Sequence, residues 1–293
     1  NPPAVALRNL RTLAARTYAK ANGIRKGVVH INMPFRKPLE PTSAEGDVTR
    51  FEELNEASTK LYTGQQHPIP SFRKDVKPDF FEAFQSPNGI VVGGIRAGKE
   101  TFFENHDMVV FSRMMNYPFL ADTLSGTRFG EANVIGGYET FLQDTTNIIK
   151  PNVIVRFGDL PLSKWLNQFI VDSEPEYYIH FSPTGEWSDD SHLVTHLVQT
   201  ELSVRMIEYV ERDSALSTQY LALEENTWQV IDHEIKTGAY FDGAVVYDVV
   251  DLIPDESTLF AGNSLPVRHL DQFGKPTNKR IFAYANRGAS GID

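Results

Sequence analysis

Short runs of β-branched and aromatic residues alternate with stretches of helical length along this chain, and nothing else in the sequence restricts the fold so strongly. Residues 89–94 (Gly89-Ile90-Val91-Val92-Gly93-Gly94), 119–122, 152–158, 177–181, 258–264 and 280–285 are such runs, three of them closed by Gly or Asp. Between them lie stretches that read as helices: 99–115, 163–169 and a long region over 201–236. Strands separated by helices of ten or more residues cannot pair as hairpins. They form βαβ units, whose crossovers are right-handed and whose strands are parallel. The predicted class is therefore α/β, a Rossmann-like parallel sheet flanked by helices, with partial α/β domains at both ends.

The opening segment carries its own signals. Val5, Leu7, Leu10, Leu13 and Ala14 recur at helical spacing within residues 2–21. Residues 27–32 read as a buried strand. Residues 36–46 hold Pro38 and Pro41 without periodicity and read as a linker. The chain opens on Asn1-Pro2-Pro3 without Met and stops at Asp293, straight after a glycine-rich turn. A parallel strand at that place needs a further helix to cover it. The expectation is a piece from the middle of a larger enzyme, unable to catalyse that enzyme's reaction by itself.

Composition excludes several functions. A formal net charge of -10 over 293 residues argues against a general nucleic-acid binder, which needs a basic face to displace counterions. The absence of Cys removes disulfides, thiolate metal sites and a Cys nucleophile. No apolar run approaches the length of a membrane span and no segment resembles a signal peptide, so a cytoplasmic location is expected.

Three motifs invite a chemical reading that the residues do not sustain. Gly93-Gly94-Ile95-Arg96-Ala97-Gly98-Lys99-Glu100 nearly matches a phosphate-binding loop, but Glu100 stands where a magnesium-holding Ser or Thr is needed. A tight turn between strand and helix is the expected role. Asp189, Asp190, His192 and His196 are candidate metal ligands, yet Leu193 occupies the place of the Glu in HExxH. A helix N-cap at Asp189 or Ser191 with surface histidines is the plainer reading. Ser163, Ser264 and Ser290 are candidate nucleophiles, and none lies in GxSxG.

Three turns at the carboxyl ends of strands are more informative: 158–164, 262–268 and 286–293. Each places a cation and small hydrogen-bonding groups near the start of a helix, where open α/β sheets bind ligands and where helix N-termini attract anions. Arg268 and Arg287 can each hold a carboxylate in a two-point fork. Anion binding or, alternatively, helix capping with surface salt bridges remains open on the residues alone.

Five segments in order carry a resemblance: residues 29–39, 120–126, 156–164, 262–268 and 285–293. Over almost the whole chain, from Val29 to Asp293, the sequence resembles the 2-succinyl-5-enolpyruvyl-6-hydroxy-3-cyclohexene-1-carboxylate synthases of menaquinone biosynthesis, which are thiamine-diphosphate enzymes. The resemblance implies three divisions. Residues 1–43 are the tail of a pyrimidine-binding domain with its linker, 44–202 a central Rossmann-like domain, and 203–293 the opening of a diphosphate-binding domain. It implies a transferase that decarboxylates 2-oxoglutarate and adds the succinyl carbanion equivalent to isochorismate. Lys164, Arg268 and Arg287 would hold substrate carboxylates and Ser264 would donate a hydrogen bond. Trp165 stands where some members carry a second basic residue. The cofactors implied are thiamine diphosphate with Mg2+ or Mn2+. The activating Glu falls ahead of Asn1 and the diphosphate and metal motif beyond Asp293. No catalytic, cofactor-binding or metal-binding residue is therefore expected within this chain. The partners implied are small carboxylate substrates and further copies of the chain in a dimer or tetramer, with no nucleic acid and no membrane span. Two other readings fit the same pattern. One is a different 2-oxo-acid enzyme of the same superfamily, which the 262–268 and 286–293 turns disfavour. The other is a non-catalytic domain for effector binding or assembly.

Overall fold

The computed structural model describes residues 4–22, 27–33, 64–66, 79–96, 102–131, 133–182, 185–198 and 212–286. Its core is a seven-stranded sheet in which every pairing is parallel. The strands are β1 (Gly64–Gln66), β2 (Gly89–Gly93), β3 (Phe119–Ala121), β4 (Val134–Ile135), β5 (Val153–Phe157), β6 (Tyr177–Phe181) and β7 (His196–Val198). Their order across the sheet is β1-β7-β6-β5-β2-β3-β4. From β2 the chain builds outward through β3 and β4. It then returns to the other side of β2 and builds outward through β5, β6 and β7. The direction of winding reverses between β2 and β5, so the crevice outside their carboxyl ends is a topological switch point, the usual ligand position in such sheets.

Period-2 alternation fixes which residues face which layer. Val91, Val153, Val155, Phe157, Ile179 and Phe181 enter one buried cluster, together with Val109, Phe111 and Met115 of helix α2 (Phe102–Met115). Their neighbours Ile90, Val92, Ile154, Leu120, Ile135 and Tyr178 enter the other. That second layer takes Tyr138 from the short helix α3 (Tyr138–Phe141) and Leu166, Phe169 and Ile170 from α4 (Lys164–Ser173). Leu216 and Tyr220 join it from α5 (Ala215–Thr237). All five residues of β2 and of β5 are buried, as a sheet covered on both faces requires.

A smaller unit follows. Helices α6 (Asp242–Leu252) and α7 (Leu265–Phe273) flank a two-stranded parallel sheet of β8 (Ser257–Ala261) and β9 (Ile281–Ala285). Its apolar cluster of Val250, Ala261, Val267, Leu270 and Ile281 also contains Leu124 and Phe129, with Ile95 and Leu162 packed against it. The turns after β2, β3 and β5 thus share one small core with α7. Helix α1 (Ala4–Asn22) reaches the sheet unit through Arg16 Nη2, which donates to the carbonyl of Asp189 at 2.9 Å.

Several expectations are corrected. Residues 27–33 form no strand: they have no ladder partner among the described residues, and Val28 is fully exposed. The helix expected within 201–236 begins at Ala215, where Ser214 caps it by accepting from Ser217 N at 3.1 Å. Residues 201–211 lie outside the described residues. The helix imagined after Asp189 is a loop leading to strand β7. The Asp189 carboxylate accepts from the backbone N–H of Leu193 and Val194, which turns the chain into the ladder instead of into a helix. Strands Gly64–Gln66, Val134–Ile135 and His196–Val198 and helix Asp242–Leu252 were not expected from the pattern. The first three are too short for a periodicity to register.

Candidate functional site

Strand β5 ends at Phe157, and the next residue, Gly158, has a φ of +76°. A Cβ there would stand 2.8 Å from the carbonyl oxygen of Ile95, so only Gly fits both the dihedral and the space. The turn after β2 lies against it. Gly94 N donates to Phe157 O at 2.8 Å and Asp159 N to Ile95 O at 2.6 Å. This close approach accounts for Gly94, where a Cβ would meet Asp159 O at 1.7 Å. Gly94, inside the near-match to a phosphate loop, thus serves turn-to-turn packing at the switch point. Residues 97–100 of that motif lie outside the described residues.

The chain then enters α4. Ser163 caps it, its Oγ accepting from Leu166 N at 3.0 Å, and Lys164 is its first residue. Lys164 is exposed, and its Nζ lies 4.5 Å from the centroid of the Trp165 ring. A cation in the first turn opposes the helix dipole. Lys164 therefore gains nothing from the dipole of the helix that carries it, and its charge acts on the Glu139 carboxyl, against the upward push of burial there.

Strand β8 leads to Ser264 and α7 in the same way. Ser264 has φ 67° and ψ -122°, a strained backbone for a residue with a side chain, and its hydroxyl makes no capping bond. Strain of this kind costs about 1–3 kcal/mol and collects at functional positions. Arg268 stands exposed one turn further along α7. Ser264 and Arg268 thus share one helix start and Lys164 begins another. Among the described residues no hydrogen bond or ion pair joins Lys164 to either of them. Arg287 lies outside the described residues.

What joins the two helix starts is a buried polar cluster that sequence reasoning missed. Arg128 is fully buried and pairs with Asp271 of α7, Nη2 to Oδ1 at 2.8 Å. Its Nε donates to Ala121 O at 2.6 Å, and its Nη1 donates to Asp271 O at 3.0 Å and to Gly274 O at 3.1 Å. Asp271 Oδ1 also accepts from Tyr138 Oη at 2.9 Å and from Thr123 N at 3.3 Å. Asp122 bridges the other way: Oδ1 accepts from Leu124 N at 2.7 Å and Oδ2 from Leu162 N at 2.5 Å, two residues before Lys164. Glu139 accepts from Ser163 Oγ. The signal in the sequence was slight. Asp122 lies inside the 120–126 segment, but neither its burial nor its contact with Leu162 N, 40 positions away, is legible there.

Burial dominates the acidity of these groups. It pushes the Asp122 carboxyl up to about 7, with the Asp271 charge adding to the effect and the N–H groups of Leu162 and Leu124 opposing it. Asp271 is raised by burial, against the pull of Arg128, Tyr138 and Thr123. Glu139 is also raised by burial, and is opposed by Ser163, Arg128 and Lys164.

The histidine and aspartate group considered for a metal is not assembled. His196 sits buried on β7 with Nδ1 2.9 Å from Thr195 Oγ1, and the Asp189 carboxylate is occupied with loop N–H groups. Among the described residues no group of three or more His, Asp or Glu side chains is placed to hold a metal ion.

Comparison with known proteins defines the class. Residues 56–261 match the family described as the middle domain of thiamine pyrophosphate, that is, of the enzymes that use this cofactor, and the chain belongs to that family. More particularly, the chain is 44% identical, along its whole length, to a 2-succinyl-5-enolpyruvyl-6-hydroxy-3-cyclohexene-1-carboxylate synthase from Roseiflexus castenholzii, covering 51% of it. It is 42% identical to the synthase of the same name from a Roseiflexus species, again over the whole chain and 51% of the relative. To that from Natronomonas pharaonis it is 34% identical over 98% of the chain and 51% of the relative. The chain spans about half the length of the curated relatives it matches. Among the described residues no helix is long and apolar enough to cross a membrane.

Proposed function

We propose that this chain supplies the substrate-carboxylate wall of a thiamine-diphosphate-dependent transferase of menaquinone biosynthesis, one that decarboxylates 2-oxoglutarate and adds the resulting four-carbon unit to isochorismate. The observation that carries the reading is the pair of helix starts, one after β5 at the switch point and one after β8. Lys164 stands at one, in a position that opposes its own helix dipole. Ser264, strained and not capping, stands at the other with Arg268 a turn away. Each guanidinium or ammonium held on a carboxylate contributes roughly 1.5–3 kcal/mol, so two or three such contacts fix a dicarboxylate firmly. Arg287 is assigned to the same wall on the resemblance.

Thiamine diphosphate supplies the electron sink for decarboxylation in enzymes of this kind. Thiamine diphosphate with Mg2+ or Mn2+ is proposed as the cofactor set of the whole enzyme, and the role proposed for this chain is substrate binding and orientation. Residues 1–43, 44–202 and 203–293 are proposed as the end of one domain, the central domain and the beginning of the next, in a cytoplasmic homo-oligomer. The test is steady-state kinetics of the intact protein with both carboxylate substrates. Lys164→Ala and Arg268→Ala should each raise KM for a carboxylate substrate by about tenfold or more. Turnover with unchanged KM in both variants would refute the assignment.

A further inference from the structure

The buried cluster between the two helix starts is more than the packing of the unit needs. Replacing a buried ion pair by apolar groups of similar size is often neutral or stabilising, so stability alone is a weak reason for an Arg and two Asp in the interior. What such a cluster does well is fix one arrangement of the parts it joins. Here the parts are identifiable. Arg128 grips α7 at the Asp271 side chain and also at the carbonyls of Asp271 and Gly274, which prevents the helix from sliding or turning about its axis. Thr123 N reaches the same carboxylate from the strand-end turn. The residue before it, Asp122, holds Leu162 N in the turn that delivers Lys164. Glu139 holds Ser163 one residue nearer. A line of hydrogen bonds and chain links therefore runs from Leu162, two residues before Lys164, through Asp122 and Thr123 to Asp271, one helical turn after Arg268.

We propose that Asp271, acting with Arg128 and Asp122, is a positioning residue that sets Arg268 and Ser264 against Lys164 at the separation a substrate carboxylate requires. The assignment rests on the carboxylate-wall reading above. Asp271 touches no substrate. Its Oδ2 has no hydrogen-bond partner among the described residues, but the atom is buried and its work is done through α7.

The experiment is a double-mutant cycle in the intact protein, with KM and kcat measured for both carboxylate substrates alongside the thermal midpoint. Arg268→Ala raises one KM about tenfold. Asp271→Asn raises the same KM about fivefold, and the double variant lies within about twofold of Arg268→Ala alone, because a mispositioned guanidinium has little left to lose. Tyr138→Phe, which removes one donor from Asp271 and keeps the ring, moves the same KM in the same direction by about twofold. It serves if Asp271→Asn does not fold. A purely structural joint predicts otherwise: lower thermal midpoints, unchanged KM in Asp271→Asn and Tyr138→Phe, and multiplicative effects in the double variant. That pattern overturns the proposal and leaves the carboxylate wall standing. An unchanged KM in Arg268→Ala overturns the wall itself, and the positioning role falls with it.

Discussion

Arg128→Met gives the sharpest test of the energetics of the buried cluster. Arg128 makes five hydrogen bonds to Ala121, Asp271, Gly274 and Tyr138, and its guanidinium carbon lies 5.2 Å from the centroid of the Tyr138 ring. Methionine fills much of the volume and makes none of them. The Asp271 carboxylate, 2% exposed, then has no cation, and breaking one side of a buried pair costs about 3–5 kcal/mol. The loss should depend on pH in a defined direction. Arg128 opposes the upward push of burial on Asp271, so its removal raises that carboxyl further. The deficit is therefore largest where the unfolded chain has lost the proton and the folded one must either keep it or bury a charge. It shrinks as pH falls toward the ordinary carboxylate range, where both states are protonated. Urea unfolding at pH 5 and pH 8 measures this, with the midpoint compared at constant slope. Arg128→Met/Asp271→Asn, with the charge removed from both sides, should recover about 2 kcal/mol or more at pH 8. A single-variant deficit under about 1.5 kcal/mol at pH 8, or no recovery in the double variant, would refute the reasoning.

Three other perturbations have clear outcomes. The Asp122 carboxyl, raised from 3.8 to about 7, keeps its proton in the folded state where the unfolded chain releases it. Its stabilising contribution is complete below about pH 4 and is lost as pH rises through 7, so the parent should lose stability relative to Asp122→Asn over that window in unfolding titrations. Gly94→Ala places a methyl 1.7 Å from Asp159 O, a backbone atom that cannot step aside. A loss of more than about 3 kcal/mol, or failure to fold, is expected by calorimetry. Ser264→Gly relieves the strained dihedrals and should raise the thermal midpoint by the equivalent of about 1 kcal/mol; under the proposed function it should also weaken carboxylate binding, read by isothermal calorimetry of the intact protein with 2-oxoglutarate.

Much of the fold was legible because it rests on local signals. Strands β2, β5 and β6 were marked by runs of Val, Ile, Phe and Tyr, since strands buried on both faces need continuous apolar sequence. Lys164, Ser264 and Arg268 are singled out because turns at strand ends are where such sheets bind ligands, and the structure has Lys164 and Ser264 at two helix starts, with Arg268 a turn further on. The 27–33 run misled for a related reason: a strand exists only with a partner, and none of its residues specifies one. His196 misled because four-residue spacing looks helical, whereas a loop closed by Asp189 puts it on a strand.

The sequence by itself determined the class of the fold and the βα periodicity, because each depends on residues within a turn or two of one another. Only the tertiary structure decided that winding reverses between β2 and β5, that Gly94 serves a neighbouring turn, and that Arg128 meets Asp271 across 143 positions. Those are properties of chain paths brought together by the burial of two apolar layers. A charge pair sealed between such paths leaves no periodic trace, because its members need only be correct in identity and need no regular spacing along the chain.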